Sequence, residues 1–575
     1  MNLRDRFAAH VAVALARTFG VEADPSEVSA QMSRPPKPEL GDVAYPCFAW
    51  AKALRQSPAA IASRLASALV TDMASDDAFA QVEAAGPYVN VRFARAWYVR
   101  RVLEAASAPG YGGSMEGSGR VIGIDSSAPN IAKPFGIGHL RSTVIGHSLR
   151  RIHEALGYRV VSVNHLGDWG TQFGKLMHAF ELWGDEAEME AAPIRHLYDL
   201  YVRFHAAAKE DPSMDEAGRA WFRRLEQGDP HAQAYWERFR TLSLREFQRM
   251  YDRLGVSFDH DWGEAFYNDK LDAVIGDLRS AGLLQESEGA QVVPLEDLQL
   301  PPCLILKQDG ASLYATRDLA AARWRREALG AERFLYVVGA AQAVHFQQVF
   351  AVLERMGYPW AKELVHVPFG MILGISTRKG TLVFLEDVLD RGKALALEVL
   401  ETREGLSAEE RDTIAEQVAV GAIVFYDLMR DRLRDYEFNW ELMLDWHGRT
   451  GPYLQYTHVR LASVERTFEG RFGALPTQES VDPALLQEDA VYALVGTLAR
   501  FPEVVAEAAR QLQPVEIARY LLDLAEAFNT LYSSGVRLVG EDEAMSRARI
   551  YVVGCVRQVL ARGLTLLGVP LPERM

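Results

Sequence analysis

Two stretches near the start of the chain, residues 7–19 and 58–69, repeat apolar side chains every three or four positions, the spacing of a helix with one buried face. Between them lies the proline-rich string SRPPKPELGDVAYP, and after them VEAAGPYVNVRF alternates apolar and polar residues as a half-buried strand does. The run GYGGSMEGSGR, residues 110–120, is rich in glycine and serine and reads as a linker. Beyond it the pattern changes. RVIGID, YRVVSVN, CLILK and RFLYVV are four apolar runs of buried-strand length. After the first, Leu140, Val144, Ile145, Leu149, Ile152 and Leu156 recur at helical spacing, and a helix over 344–356 follows the last. Strands and helices in this succession predict right-handed crossovers and a parallel, doubly wound sheet, whose ligands bind outside the carboxyl ends of its strands.

Charged helical sequence over about 183–262 interrupts the alternation and reads as an insertion packed on the sheet. From Glu386 the pattern is almost wholly helical, and from about Pro452 it has the length of a separate helical domain. The expected organisation is therefore an N-terminal α+β domain over 1–110 and an α/β doubly wound, Rossmann-type catalytic domain over 111–385 that carries the insertion. A helical connecting region over 386–451 and a C-terminal all-α domain over 452–575 complete it. No internal repeat or low-complexity stretch is present.

Composition narrows the class. A chain of 575 residues exceeds a single core, and 49% hydrophobic with 24% charged residues is ordinary globular usage. The first twenty residues carry Arg4, Asp5, Arg6 and His10 where a signal peptide would be uncharged, and no later run approaches 18 uninterrupted apolar residues. A cytoplasmic protein with no membrane association is expected. The three cysteines, Cys47, Cys303 and Cys555, follow no metal-ligand spacing, so they read as buried free thiols, and no protein-held metal is predicted. Lys and Arg number 62 against 77 Asp and Glu, a net charge of −15. That sign disfavours general nucleic-acid binding and restricts any RNA contact to a local basic face.

The chemistry concentrates in DSSAPNIAKPFGIGHLRSTVIG, residues 125–146, which joins the first apolar run to the following helix. Amide N–H groups at a helix start lack intrahelical partners and lie at the positive end of the helix dipole, so phosphate is favoured there. Gly136 and Gly138 would let a nucleotide lie close to the main chain. Asp125 ends the first strand at the face where ligands bind. Asp318, in LYATRDLAAAR, follows Tyr314 by four residues and shares its face if the segment is helical.

GIGH followed by LRST resembles the HIGH motif of class I aminoacyl-tRNA synthetases, and the longer NIAKPFGIGHLRST resembles its arginyl-tRNA synthetase form. The first motif histidine is replaced by Gly136, and His139 remains. FGMILGISTRKG resembles the second signature, KMSKS, with Ser376, Thr377, Arg378 and Lys379 in its later positions and Gly374 and Ile375 where lysine and methionine are more usual. The resemblance extends from GDVAYPCFAWAK to the terminal PERM.

It implies an ATP-dependent arginine–tRNA ligase. Arginine carboxylate attacks the α-phosphorus of ATP, with Mg2+ bound to the nucleotide, and the arginyl group then passes to the terminal adenosine of tRNA(Arg), releasing AMP after pyrophosphate. His139, Lys133, Arg378 and Lys379 are the implied catalytic groups, Lys133 standing in for the missing signature lysine. Gly136, Gly138, His139, His345, Ser376 and Lys379 would hold ATP. A guanidinium with five donors needs acidic acceptors, and Asp125, Asn130, Tyr314, Asp318, Gln342 and His165 are the implied arginine ligands. Asn90 would read the tRNA elbow, while Tyr453, Tyr456, Arg460 and Met575 would serve the anticodon-binding domain. The family is mostly monomeric. A non-catalytic tRNA-binding paralogue, motivated by Gly136, and a class I synthetase for another amino acid are the competing readings. The resemblance implies that bound tRNA is needed for activation. Pyrophosphate exchange without tRNA(Arg) is therefore expected to be negligible, and robust exchange in its absence would refute that expectation.

Overall fold

A computed structural model describes residues 3–308, 310, 312–374, 383–401, 403 and 405–575. They form two compact units, one of residues 1–111, 463–500 and 526–558, the other of 112–462, 501–525 and 559–575.

In the first unit the helices Leu3–Phe19 and Pro58–Asp72 pack on an antiparallel sheet of three strands, ordered Val43–Pro46, Tyr88–Phe93, Phe79–Ala85. Phe7, Leu15, Ile61, Leu65, Val89 and Val91 are withdrawn from water in its core. The alternating string after residue 81, expected as one strand, turns at Gly86 and Pro87 into a hairpin. Gly86 takes a positive φ of 58°, which an L side chain adopts only at a steric cost. Val43–Pro46 was hidden in the proline-rich loop because four residues are too few to show a period.

The second unit holds the parallel sheet. Among the described residues its order is Leu364–His366, Arg333–Tyr336, Val121–Asp125, Arg159–Val163, all parallel neighbours. In chain order this is four, three, one, two. The order reverses between the first strand and the third, so a crevice is expected outside their carboxyl ends, where Asp125 pairs with Tyr336. Cys303–Leu306, expected as a strand of this sheet, instead closes a separate antiparallel sheet with Gln285–Ser287 and Ala290–Val293. Its Leu304 is exposed while Cys303, Ile305 and Leu306 are buried, and Glu288 and Gly289 form the tight turn between the other two strands at φ 52° and 80°.

The charged insertion is helical over Glu186–Ala191, Pro193–Glu210, Ser213–Glu226 and Pro230–Leu254. The connecting region contains the helices Leu385–Leu400 and Ala408–Leu428, but it is not wholly helical: Tyr436–Glu437 pairs in parallel with Ile372–Leu373. The C-terminal helix Glu543–Leu567 is long and apolar enough to cross a membrane by composition, yet 61% of that window is buried within the fold.

One buried arginine ties these pieces together. Arg141, on the helix Ile137–Ala155, is 1% exposed and donates from Nη1 to the carbonyls of Gly370 and Arg434, at 2.8 and 2.9 Å. Its Nε lies 2.9 Å from Asp427 Oδ1, which also accepts from the Tyr436 hydroxyl. Burial pushes the Asp427 carboxyl upward while Arg141 pulls against it. A buried pair of this kind adds little against an apolar substitute, but either half alone is costly. Asp427→Leu or Arg141→Leu alone is expected to lower stability by about 3–5 kcal/mol, and the double variant by less than their sum. Urea denaturation checks this, and strict additivity would contradict it.

Candidate active site

The loop between the first strand and the helix Ile137–Ala155 carries three non-glycine residues in the left-handed region, Ser127 at φ 71°, Ala128 at 50° and Ala132 at 58°. Such residues cost about 1–3 kcal/mol each and persist only where their surroundings fix them. The restraints are explicit. Ser127 N–H donates to Ser142 Oγ at 2.9 Å, and Ser142 Oγ donates onward to the Val337 carbonyl at 2.6 Å. Thr143 donates to Ser127 Oγ at 2.8 Å, and the Tyr251 hydroxyl lies 2.8 Å from the same atom. Ala128 N–H reaches Asn164 Oδ1, and Ala132 N–H reaches Ser243 Oγ. Tyr251 and Ser243 belong to the last insertion helix, so the insertion braces this loop from outside the sheet.

The loop is also zipped to the turn after the second strand. Ile131 N–H donates to the Gly167 carbonyl and Gly167 N–H to that of Pro129. A side chain at Gly167 would place its Cβ 2.3 Å from Asn130 Oδ1, so glycine is needed for Asn130 to keep its place. Asp168, in the same turn, is buried and structural, accepting from Ala265 N–H and Arg240 Nε.

At the helix start Gly136 is buried and serves as the N-cap, with an extended backbone, φ −81° and ψ 160°. Ile137 N–H donates to the Val383 carbonyl at 3.3 Å, and Leu385 N–H to that of Phe135 at 2.8 Å. The chain emerging from the second signature is thereby clamped against the first. Gly138 is exposed, with open space where its side chain would be, so the main chain is accessible there. His139 Nδ1 is buried without a hydrogen-bond partner among the described residues, and burial lowers the pKa of its ring, with a smaller push from Lys133 in the same direction. Burial lowers the pKa of Lys133, whose ammonium lies 5.3 Å from the centre of the Tyr201 ring. Ser376, Thr377, Arg378 and Lys379 lie outside the described residues.

The acids are arranged differently from expectation. Asp125 was expected to accept from a ligand; its Oδ2 accepts from Arg325 Nη1 at 2.7 Å, and both side chains are almost wholly buried. It is therefore committed inside the protein. Asp318, expected to accept from a ligand, faces two histidines. Its Oδ2 is 2.5 Å from His345 Nε2 and its Oδ1 3.8 Å from His165 Nε2. His345, expected beside ATP, is thus a partner of Asp318. The segment Tyr314–Leu329 is helical, so Tyr314 and Asp318 do share a face, and Tyr314 is 68% exposed. Gln342 is exposed in the turn that opens the helix of His345.

One acid was missed from the sequence. Glu264, in a short 3-10 helix after the insertion, has its pKa raised to about 7, chiefly by burial, with Asp168 and Asp318 adding repulsion and Arg317 opposing. Its only sequence signal was GEAFYN, which has no period. Two carboxyl groups, Glu264 and Asp318, thus feel each other, and Arg317 acts on both.

The expected RNA contacts are scattered. Asn90 is 3% exposed, which precludes the open contact expected of it, and its Oδ1 has no partner among the described residues. Tyr88 shares its strand face and packs edge-on to Phe48 at 5.6 Å, both rings exposed. Tyr456 is exposed on the helix Gly451–Phe472, with Tyr453 and Arg460 half-buried. Met575 packs, partly buried, against Ala396, Leu400 and Ile414 rather than standing free.

Three family models match the chain: arginyl tRNA synthetase N terminal domain over 5–93, tRNA synthetases class I (R), catalytic domain over 108–440, and DALR anticodon binding domain over 454–575. Arginine–tRNA ligase 1 of Bacillus cereus is 45% identical over 574 residues, 98% of this chain and 99% of its own. Arginine–tRNA ligase of Exiguobacterium sibiricum is 47% identical over 557 residues, 96% of each. The solved arginyl-tRNA synthetase of Thermus thermophilus shares the fold at a TM-score of 0.79 and 24% identity, with all of both chains covered.

Because Glu264 holds its proton more tightly folded than unfolded, the native state binds the extra proton between its ordinary range near 4.5 and about 7. Its contribution to stability therefore falls as pH rises through that window, and Glu264→Gln removes the fall. Thermal unfolding followed from pH 5 to 8 should show the wild type losing up to about 3 kcal/mol relative to the variant. Parallel pH profiles would contradict the assignment.

Proposed function

The chain belongs to the arginyl-tRNA synthetase family, and from that premise we propose which of its groups carry out the reaction. The chain activates arginine with ATP and charges tRNA with it. In this reading the guanidinium of arginine is met by Asp318 and Glu264, with Tyr314 and Gln342 at the pocket edge and Asn130 holding the α-amino and carboxylate end. Asp125 closes the pocket floor from behind through Arg325. The observation that carries the reading is the juxtaposition of Asp318 with the desolvated Glu264, since a neutral substrate has no use for two such acids.

A carboxylate oxygen of arginine attacks the α-phosphorus of ATP, the bond from that phosphorus to the bridging oxygen breaks, and pyrophosphate leaves. The 2′-hydroxyl of the terminal adenosine then attacks the carbonyl carbon, loses its proton, and AMP departs with the phosphate oxygen. No covalent enzyme intermediate is required, so rate comes from alignment and from donors aimed at the charge that develops on phosphate. Gly138 N–H, His139 and Lys133 supply them from the first signature, and Ser376, Arg378 and Lys379 from the second. Gly136 contributes no side chain, but as N-cap it brings the chain after the second signature against the first. Magnesium enters this reading as an ion carried by the nucleotide.

The tRNA meets an acidic protein through local features: the exposed Phe48 and Tyr88 rings above Asn90 in the N-terminal module, and Tyr453, Tyr456 and Arg460 in the helical domain. The reading places the enzyme in the cytoplasm as a monomer with no membrane contact, in keeping with the burial of its long apolar helix.

Aminoacylation of tRNA(Arg) with arginine, beside lysine and glutamine controls, tests the reading. Asp318→Ala is expected to raise the arginine KM about tenfold to a hundredfold, the loss of a charged hydrogen bond. His139→Ala is expected to lower kcat by about 10²–10³ with little change in that KM. Normal charging by both variants would overturn the site assignment.

A further inference from the structure

Lys133 stands between two residues that leave its backbone little choice. Ala132, before it, holds a positive φ of 58°, and Pro134, after it, disfavours the helical region for the residue it follows. An alanine in the left-handed region persists only where its surroundings fix it, and here Ala132 N–H donates to Ser243 Oγ at 3.0 Å. Ser243 is wholly buried on the insertion helix Pro230–Leu254. Without this acceptor the buried amide would be left unsatisfied, so the bond fixes the turn from which the lysine departs. Asn130 has separate support, from the pairing of its own stretch with Gly167. The far end of Lys133 meets a second insertion helix, Pro193–Glu210, where its ammonium lies 5.3 Å from the centre of the Tyr201 ring. Among the described residues no carboxylate pairs with that ammonium. An aromatic face attracts a cation without cancelling its charge, so N–H donors remain for an anion. The same charge is felt by the ring of His139 in the first signature.

We propose that Ser243 and Tyr201 are positioning residues for Lys133: the insertion holds the lysine at its main chain through one and at its ammonium through the other, aiming it at the phosphates of ATP. A lysine is a point charge on a flexible four-carbon stem, and left alone it would spread that charge over a wide arc. Holding both ends in the free enzyme removes this ordering from the step in which charge develops on phosphate. The role rests on the reading of Lys133 as a donor to the nucleotide.

The test is ATP–pyrophosphate exchange by the full-length enzyme with tRNA(Arg) present, arginine and ATP being varied separately. It compares Ser243→Ala, Tyr201→Leu, Tyr201→Phe and Lys133→Met, and combines each of the first two with Lys133→Met. Ser243→Ala is expected to lower the maximal exchange rate about tenfold and Tyr201→Leu about threefold to fivefold. The arginine KM is expected to stay within about twofold in both, because Asn130 keeps its own support. Tyr201→Phe retains the aromatic face and is expected within about twofold of wild type throughout. In the Lys133→Met background neither substitution is expected to slow exchange by more than about a further twofold, since the group they position is gone. A merely structural role would slow exchange by the same factor with or without Lys133. Equal factors in the two backgrounds would therefore overturn the proposal, as would wild-type exchange in either Ser243→Ala or Tyr201→Leu, or a Tyr201→Phe enzyme as slow as Tyr201→Leu. Should Ser243→Ala fail to fold, the Tyr201 variants decide the matter alone. If Lys133→Met exchanges at the wild-type rate, the underlying reading of Lys133 fails; if it is slow and the Ser243 and Tyr201 variants are not, only their positioning role fails.

Discussion

The ion pair between Asp125 and Arg325 sets the terms for the whole site. It lies where the central strand ends and the sheet order reverses, and both partners are withdrawn from water. A carboxylate there without Arg325 would be a buried, unpaired charge, and Arg325 without Asp125 likewise, so each obliges the other to remain. The consequence for recognition is direct. With Asp125 spent internally, the proposed reading gives a cationic ligand its acceptors one layer further out, on Asp318 and Glu264. These groups are less deeply held and still have acceptor capacity.

The nucleotide side depends on a different kind of constraint. Three left-handed residues between Asp125 and Gly136 keep the loop in a shape that the local sequence would not choose, and hydrogen bonds to Ser142, Asn164 and Ser243, with one between Ser127 and Tyr251, hold it there. Two of those restraints come from the insertion, which makes the insertion part of the active-site scaffold. Arg141 extends the same logic, joining the helix of the first signature to carbonyls at Gly370 and Arg434 beside the strand that precedes the second. Gly136 fits this picture. Its backbone caps the helix and meets Phe384, and the missing histidine side chain takes nothing from the clamp between the two signatures.

How much of this the sequence disclosed follows from the range of the interactions concerned. Local periodicity revealed the long helices and three of the four parallel strands, because 3.6-residue repeats and apolar runs are written in consecutive residues; Leu364–His366, three residues long and only half-buried, was missed. It did not separate Cys303–Leu306 from the parallel sheet, since an apolar tetrapeptide has no period and its pairing depends on a hairpin partner. The motif strings led to His139, Lys133 and Asp318, although the partners of Asp318, His345 and His165, lie far from it in sequence. They were silent on Arg325, 200 residues from Asp125, and on Glu264, whose altered acidity arises from burial and from acids on other segments. They also suggested an exposed Asn90 and Met575, although burial is a property of packing and cannot be read from a residue type.

The central claim is that arginine is recognised by carboxylates the protein keeps partly desolvated, with Glu264 ionising as the guanidinium arrives. Isothermal titration of arginine into the enzyme at pH 6.5, repeated in buffers of different ionisation enthalpy, measures the protons exchanged on binding. The account predicts proton release in the wild type, because a cation beside Glu264 lowers a pKa that starts near 7, and no release in Glu264→Gln. Binding of arginine to the wild type without proton release, or with the same release in the variant, would contradict it.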